Sequence, residues 1–141
     1  MSAAANPEAL QTALAAEHAA VFVYGALGGQ TSQSSSPTLY AAVTDAYVTH
    51  RTRRDDLIAA LEAEGQEPVA AEPGYDLPAD LSTAAAISRR ALALERSCAA
   101  TYAYVVGSTT DDQRSWAVEA LLDAATRALA FGGEPEQLPG L

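Results

Sequence analysis

Apolar residues recur at steps of three and four along separate stretches of the chain, and between these stretches the rhythm stops. In the first stretch Leu10, Leu14, Glu17, Val21, Tyr24 and Gly28 fall on one helical face. Val43, Tyr47, His50, Arg54, Leu57 and Leu61 do so in the second, and Ala91 or Leu92, Glu95, Cys98 or Ala99, Tyr102 and Val105 in the third. Punctuation places the ends. Asn6 followed by Pro7 and Glu8 is an N-cap, a first-turn proline and an early acid, and predicts a helix from Pro7 to Gly28. Ser36 and Pro37 repeat that signal for a helix ending near Glu64, before Gly65. Ser82 or Thr83 caps a third helix that stops at Gly107. "TDDQ", Thr110 to Gln113, reads as a capping box opening a fourth that stops near Gly132. The tail "GGEPEQLPGL" is expected to be mobile, with Leu141 as a docking point.

The connections set the topology. Short links join helices one and two, and three and four, so each pair is expected to be antiparallel. "GQEPVAAEPGYDLPADLS" carries prolines and glycines that no helix continues through. At about 3.3 Å per residue it can travel the length of a bundle whose helices are about 38 Å long. The expectation is an all-α antiparallel four-helix bundle, one domain over residues 1–141, with a long crossover between helices two and three.

Composition agrees: 49% of residues are hydrophobic, only 6% are aromatic, and alanine fills much of the remainder. Eighteen acids face eight basic residues, a formal charge of -10, and lysine is absent. A phosphate backbone or an anionic membrane would repel such a surface, and Schiff-base chemistry has no lysine to use. Cys98 stands alone, which excludes an intrachain disulfide and a cysteine-rich zinc site and fits a reducing cytoplasm. The opening "MSAAANPEAL" lacks the pattern of a secretory leader, and the apolar runs are too short to span a bilayer. The expected location is cytoplasmic.

Three ionisable residues interrupt the apolar seams at matching depths. Glu17 lies 11 residues before Gly28, His50 lies 13 after Pro37 and Glu95 lies 12 before Gly107, so an antiparallel bundle brings them to one level. Buried charges need partners. Glu17, His50 and Glu95 therefore either satisfy one another as a polar network that fixes helix register, or hold a metal ion. Arg54, one turn beyond His50, is expected to point inward and neutralise the two carboxylates, with Arg51 reaching in from the flank. His18, about 100° around the helix from Glu17, is placed at the border of the bundle. The tyrosines at positions 24, 47, 102 and 104 are expected to pack in the core with their hydroxyls at its rim. Cys98 is read as an inert core thiol within approach of His50, and "RTRRDD" as surface ion pairs with Arg51 and Asp55 four apart. No glycine-rich phosphate loop, nucleophile elbow or His-x-x-x-His pair appears.

The layout resembles the ferritin-like superfamily. The stretches "LAAEHAAVFVYG", "HRTRRDDL", "LERSCAATYAYV" and "PGYDLP" resemble an alanine-rich ferritin-like domain family of actinobacteria, one without an assigned activity, from about Ala9 to Phe131. Di-iron members of the superfamily take a lone glutamate from each of two helices and a Glu-x-x-His pair from each of two others. On that pattern Glu17 and Glu95 match the lone glutamates and His50 the first paired histidine. Tyr47 stands where a carboxylate belongs, and "VEALLDAATR" offers Glu119 or Asp123 followed three residues on by Leu122 or Thr126, with no histidine. The resemblance therefore implies a degenerate di-metal site and a binding, scaffold or stress-related protein rather than an enzyme, with no cofactor. The alternative is an iron- or manganese-binding oxidoreductase or iron-handling protein built on Glu17, His50 and Glu95. A homodimer is expected, since exposed apolar surface on such a bundle is often covered by a second copy; a protein or small-molecule partner is left unnamed.

Overall fold

A computed structural model describes residues 6–141; the first five, part of the stretch read above for a leader, lie outside them. Four helices follow in order: α1 Pro7–Gln30, α2 Pro37–Ala63, α3 Ala84–Ser108 and α4 Asp111–Ala130. Asn6 Oδ1 accepts from the Ala9 amide at 3.2 Å, and its side-chain nitrogen donates to the Ser108 carbonyl at 3.0 Å, so one residue caps α1 and ties it to the end of α3. α1 runs past Gly28 to Gln30 and is capped by Thr31, whose hydroxyl donates back to the Leu27 carbonyl at 2.6 Å. Of the two proposed caps for α3 it is Thr83 that serves, accepting from the Ala86 amide at 3.1 Å.

The expected capping box on α4 does not form. Asp111 enters the helix at φ 54, a left-handed conformation that aspartate tolerates better than most side chains. Thr110 makes no side-chain cap bond, and Gln113 Nε2 instead donates at 2.6 Å to Oε1 of Glu64, the residue that caps the C-terminus of α2.

Contacts between the helices fix their directions. Glu17 meets Tyr102 and Tyr24 meets Glu95, so α1 is antiparallel to α3; Glu17 meets His50 while Gly28 lies against Val43, so α1 is antiparallel to α2 as well. Asp45 pairs with Arg127 and Asp56 with Trp116, which makes α2 and α4 antiparallel. The chain thus goes up, down, across, down and up. Its crossover lies along the outside of α1: Gln11 bonds the backbone of Glu67 and Val69, His18 Nε2 bonds the Val69 carbonyl at 2.9 Å, and Phe22 packs on Tyr75. Proline-rich backbone cannot satisfy itself, so polar side chains of α1 supply its partners.

Two apolar clusters fill the interior, one around Tyr24, Leu27, Val43, Ile87 and Phe131, the other around Leu10, Leu14, Leu57, Leu61 and Val105. α4 contributes only Ala117, Ala120, Ala124 and Ala128 from its buried seam, which lets its backbone approach α3 closely. The tail differs from expectation. A Cβ on Gly140 would lie 2.4 Å from the Ala99 carbonyl oxygen, so residues 132–141 fold back on α3 and close against it at Gly140, whereas Leu141 is exposed. Only glycine permits that approach and the φ of 83 that accompanies it.

Candidate functional site

Between the two apolar clusters lies one polar layer. The α1 and α3 registers aim Glu17 and Glu95 inward from antiparallel helices, and the α2 register sets His50 between them; all three are fully buried. His50 Nδ1 lies 2.6 Å from Glu17 Oε1 and Nε2 lies 2.9 Å from Glu95 Oε2, two carboxylate oxygens that accept. Only an imidazolium can donate to both at once, and two carboxylate acceptors favour that form. Burial opposes that charge, but the hydrogen bonds and charges of the two carboxylates outweigh it and hold the His50 pKa up at about 9.

Two tyrosines extend the chain at either end. Tyr102 donates to Glu17 Oε2 at 2.9 Å, and Tyr24 donates to Glu95 Oε2 while its ring stacks on His50 with centroids 5.3 Å apart. The order is Tyr102, Glu17, His50, Glu95, Tyr24, running through α3, α1, α2, α3 and α1. Burial and the adjacent carboxylates push both phenols above their ordinary pKa, so both remain donors. Their hydroxyls point into the core, not to its rim as the tyrosine pattern suggested. Tyr47 is half-buried outside the layer, and Tyr104, expected in the core, is exposed on the outer face of α3.

The arginine expected here is the wrong one. Arg54 turns outward and pairs with its neighbour Asp55 at 3.0 Å, while Arg53 is buried, with its guanidinium 5.7 Å from the Tyr102 ring centre and bonded to Asp123 at 2.8 Å. Neither touches Glu17 or Glu95. The register explains the swap: Ala46, His50, Arg53, Leu57 and Leu61 are the buried series, so the step after His50 is three residues, not four. Arg51 stacks over Tyr47 at 5.5 Å and also stays clear of the carboxylates. Asp55 takes its partner from Arg54 rather than Arg51. Arg53→Ala is expected to lower stability by about 2 kcal/mol in urea unfolding, because Asp123 loses a partner and buried apolar stem is removed, whereas Arg54→Ala should change it by less than about 0.5 kcal/mol.

The donor set can be tested against a metal. α4 supplies none: Glu119 is exposed and Asp123 is held by Arg53 and Arg127. A dinuclear centre therefore lacks ligands on a whole side. For a single ion, ligand atoms of Glu17, His50 and Cys98 lie within 4.8 Å of one another, and Glu95 Oε1 is buried without a partner. Both nitrogens of His50, however, are spent on carboxylates, and burial with the nearby carboxylates raises the Cys98 thiol well above its ordinary pKa. An ion would have to strip protons from both.

An all-α, four-helix chain with a buried histidine between two carboxylates is the class these features define. Within it, residues 9–141 match the model of the domain of unknown function DUF4439, and the chain belongs to that family. It is also similar to a solved structure described as a conserved hypothetical protein, rv2844, from Mycobacterium tuberculosis. The two share 37% identity over 88% of this chain and 92% of that one, with a TM-score of 0.79. No curated protein matches. Among the described residues no helix is long and apolar enough to cross a membrane.

Proposed function

We propose that this chain is a ferritin-like bundle in which a fixed imidazolium has taken the place of a di-metal centre, and that it acts as a cytoplasmic binding or scaffold protein rather than an oxidase. The observation that carries the reading is the pair of hydrogen bonds from His50 to Glu17 and Glu95. A cation bridging two inward glutamates is what a metal would provide in such a site, and here a protonated ring supplies one positive charge between the two carboxylates without exchangeable coordination positions. The up, down, across, down, up path supports the ferritin-like part, and the alanine seam of α4 supports the loss of ligands.

The second reading, an iron- or manganese-handling protein with a reduced carboxylate and histidine site, draws on the unpartnered Glu95 Oε1 and the nearby Cys98 sulfur. Thermal melts separate the two. Protein purified without chelator is expected to carry well under one equivalent of iron or manganese, to melt at the same temperature with chelator or with added Fe(II) or Mn(II), and to show no iron-oxidation activity. A melting temperature that rises with either ion in wild type and not in Glu17→Gln would establish the metal reading instead.

A further inference from the structure

With only alanine on its buried seam, α4 leaves the bundle open on the side of α2. The two helices reach each other through long side chains: Arg127 to Asp45 and Thr49, Arg53 to Asp123, and Trp116 to Asp56. Toward the end of α2 lies a cavity of about 440 Å³, walled by Leu10, Leu57, Ala60 and the half-buried indole of Trp116. Its size and apolar walls suit a small organic molecule. A second cavity, of about 400 Å³, shares Trp116 and Asp56 with it and continues along the groove to Thr49 and Glu119.

The polar groups of the first cavity are short of donors. Gln113 lines it, and the amide oxygen of that side chain is buried with no donor. Asp56 has only the long contact from the Trp116 indole at 3.4 Å. Among the described residues Asp56, Asp112 and Glu119 form no ion pair, although all three line the groove. Arg53 lines the second cavity but is committed to Asp123 and the Tyr102 ring. What the first cavity lacks is therefore a donor that carries positive charge.

We infer that this cavity binds a small organic cation, a primary ammonium carried on an apolar chain or ring, at a site separate from the polar layer and independent of its role. The apolar body lies against Leu57 and the Trp116 ring, and the ammonium meets Asp56 and Asp112 at the rim. A cation beside an indole is attracted by the ring face as well as by the carboxylates. An anion of the same body is repelled by both carboxylates and by a chain of charge -10. A neutral body fills the cavity but leaves the carboxylates and the Gln113 oxygen unmatched.

Trp116 is the only tryptophan, so its emission reports on this cavity directly. Titration with hexylammonium at constant ionic strength tests the site, with 1-hexanol, hexanoate and methylammonium run beside it to separate charge from apolar body. Hexylammonium is expected to change the emission saturably with a Kd of about 1 mM, hexanol and methylammonium to bind at least about fivefold more weakly, and hexanoate not to bind. Asp56→Asn and Asp112→Asn combined, both at exposed positions, should keep the circular dichroism spectrum and weaken hexylammonium at least about fivefold, to the level of hexanol. Glu72→Gln and Asp76→Asn combined remove the same charge from the crossover and should leave the affinity unchanged. No saturable change with hexylammonium, or hexanol or hexanoate binding as tightly, would overturn the inference. So would an affinity that the Asp56 and Asp112 changes leave intact, or that the crossover changes weaken equally.

Discussion

His50→Leu is expected to destabilise the fold by about 4 kcal/mol, a large part of the 5–15 kcal/mol typical of a whole domain. The side chain removed is similar in volume, so little of that loss is cavity. It comes from Glu17 and Glu95, fully buried, each left with a single tyrosine donor and no positive charge in contact. The variant can fail to fold outright, so a second one carries the test. In Glu17→Gln, His50→Leu and Glu95→Gln combined, the stranded charges are gone and most of the lost stability should return, as when buried ion pairs elsewhere are exchanged for neutral groups of like shape. Urea midpoints of wild type, single and triple variants measure both effects. A single variant within about 1 kcal/mol of wild type would mean that His50 is not the counter-ion of the two carboxylates.

Alkaline pH should undo the same interaction without a mutation. The folded protein holds the His50 pKa at about 9 against an ordinary value of 6.5. Because the folded value is the higher, the stabilisation is fully present below pH 6.5, declines as pH rises and is gone above about 9. At about 1.36 kcal/mol per unit the shift corresponds to a loss of about 3 kcal/mol across that window. Cys98 gives the same sign, since burial raises its thiol too, but its ordinary value of 9.0 places its effect at higher pH. The window from 6.5 to 9 therefore belongs to His50. Chemical denaturation at a series of pH values should show the decline in wild type and a flat response in the triple variant.

How much of this was legible in the sequence depends on which distances the sequence encodes. Axial depth is encoded by residue count from the helix ends, and counting from Gly28, Pro37 and Gly107 placed Glu17, His50 and Glu95 at one level, where the structure joins them. Rotation about a helix is encoded less well, because a seam advances by either three or four residues. After His50 both choices are arginines and both lead on to Leu57, so residue type could not separate Arg53 from Arg54. The aim of the Tyr24 and Tyr102 hydroxyls depends on carboxylates that another helix brings to their height, which no local pattern carries. The signal that was present is that Tyr24 and Tyr102 each lie seven residues from the glutamate on their own helix, two turns away on the same face. For the tail, glycine and proline content pointed to mobility; the counter-signal was Ala99 and Ala103, two small residues one turn apart on α3 that leave room for Gly140.

The protonation of His50 bears most directly on the idea that a fixed cation occupies this centre. In protein labelled with nitrogen-15 at histidine, long-range proton–nitrogen spectra at neutral pH report whether each ring nitrogen carries a proton. Both nitrogens of His50 are expected to be protonated, and a stoichiometric amount of zinc, a diamagnetic probe of the site, to leave their signals in place. An unprotonated nitrogen at neutral pH, or signals that move with one equivalent of zinc, would contradict it.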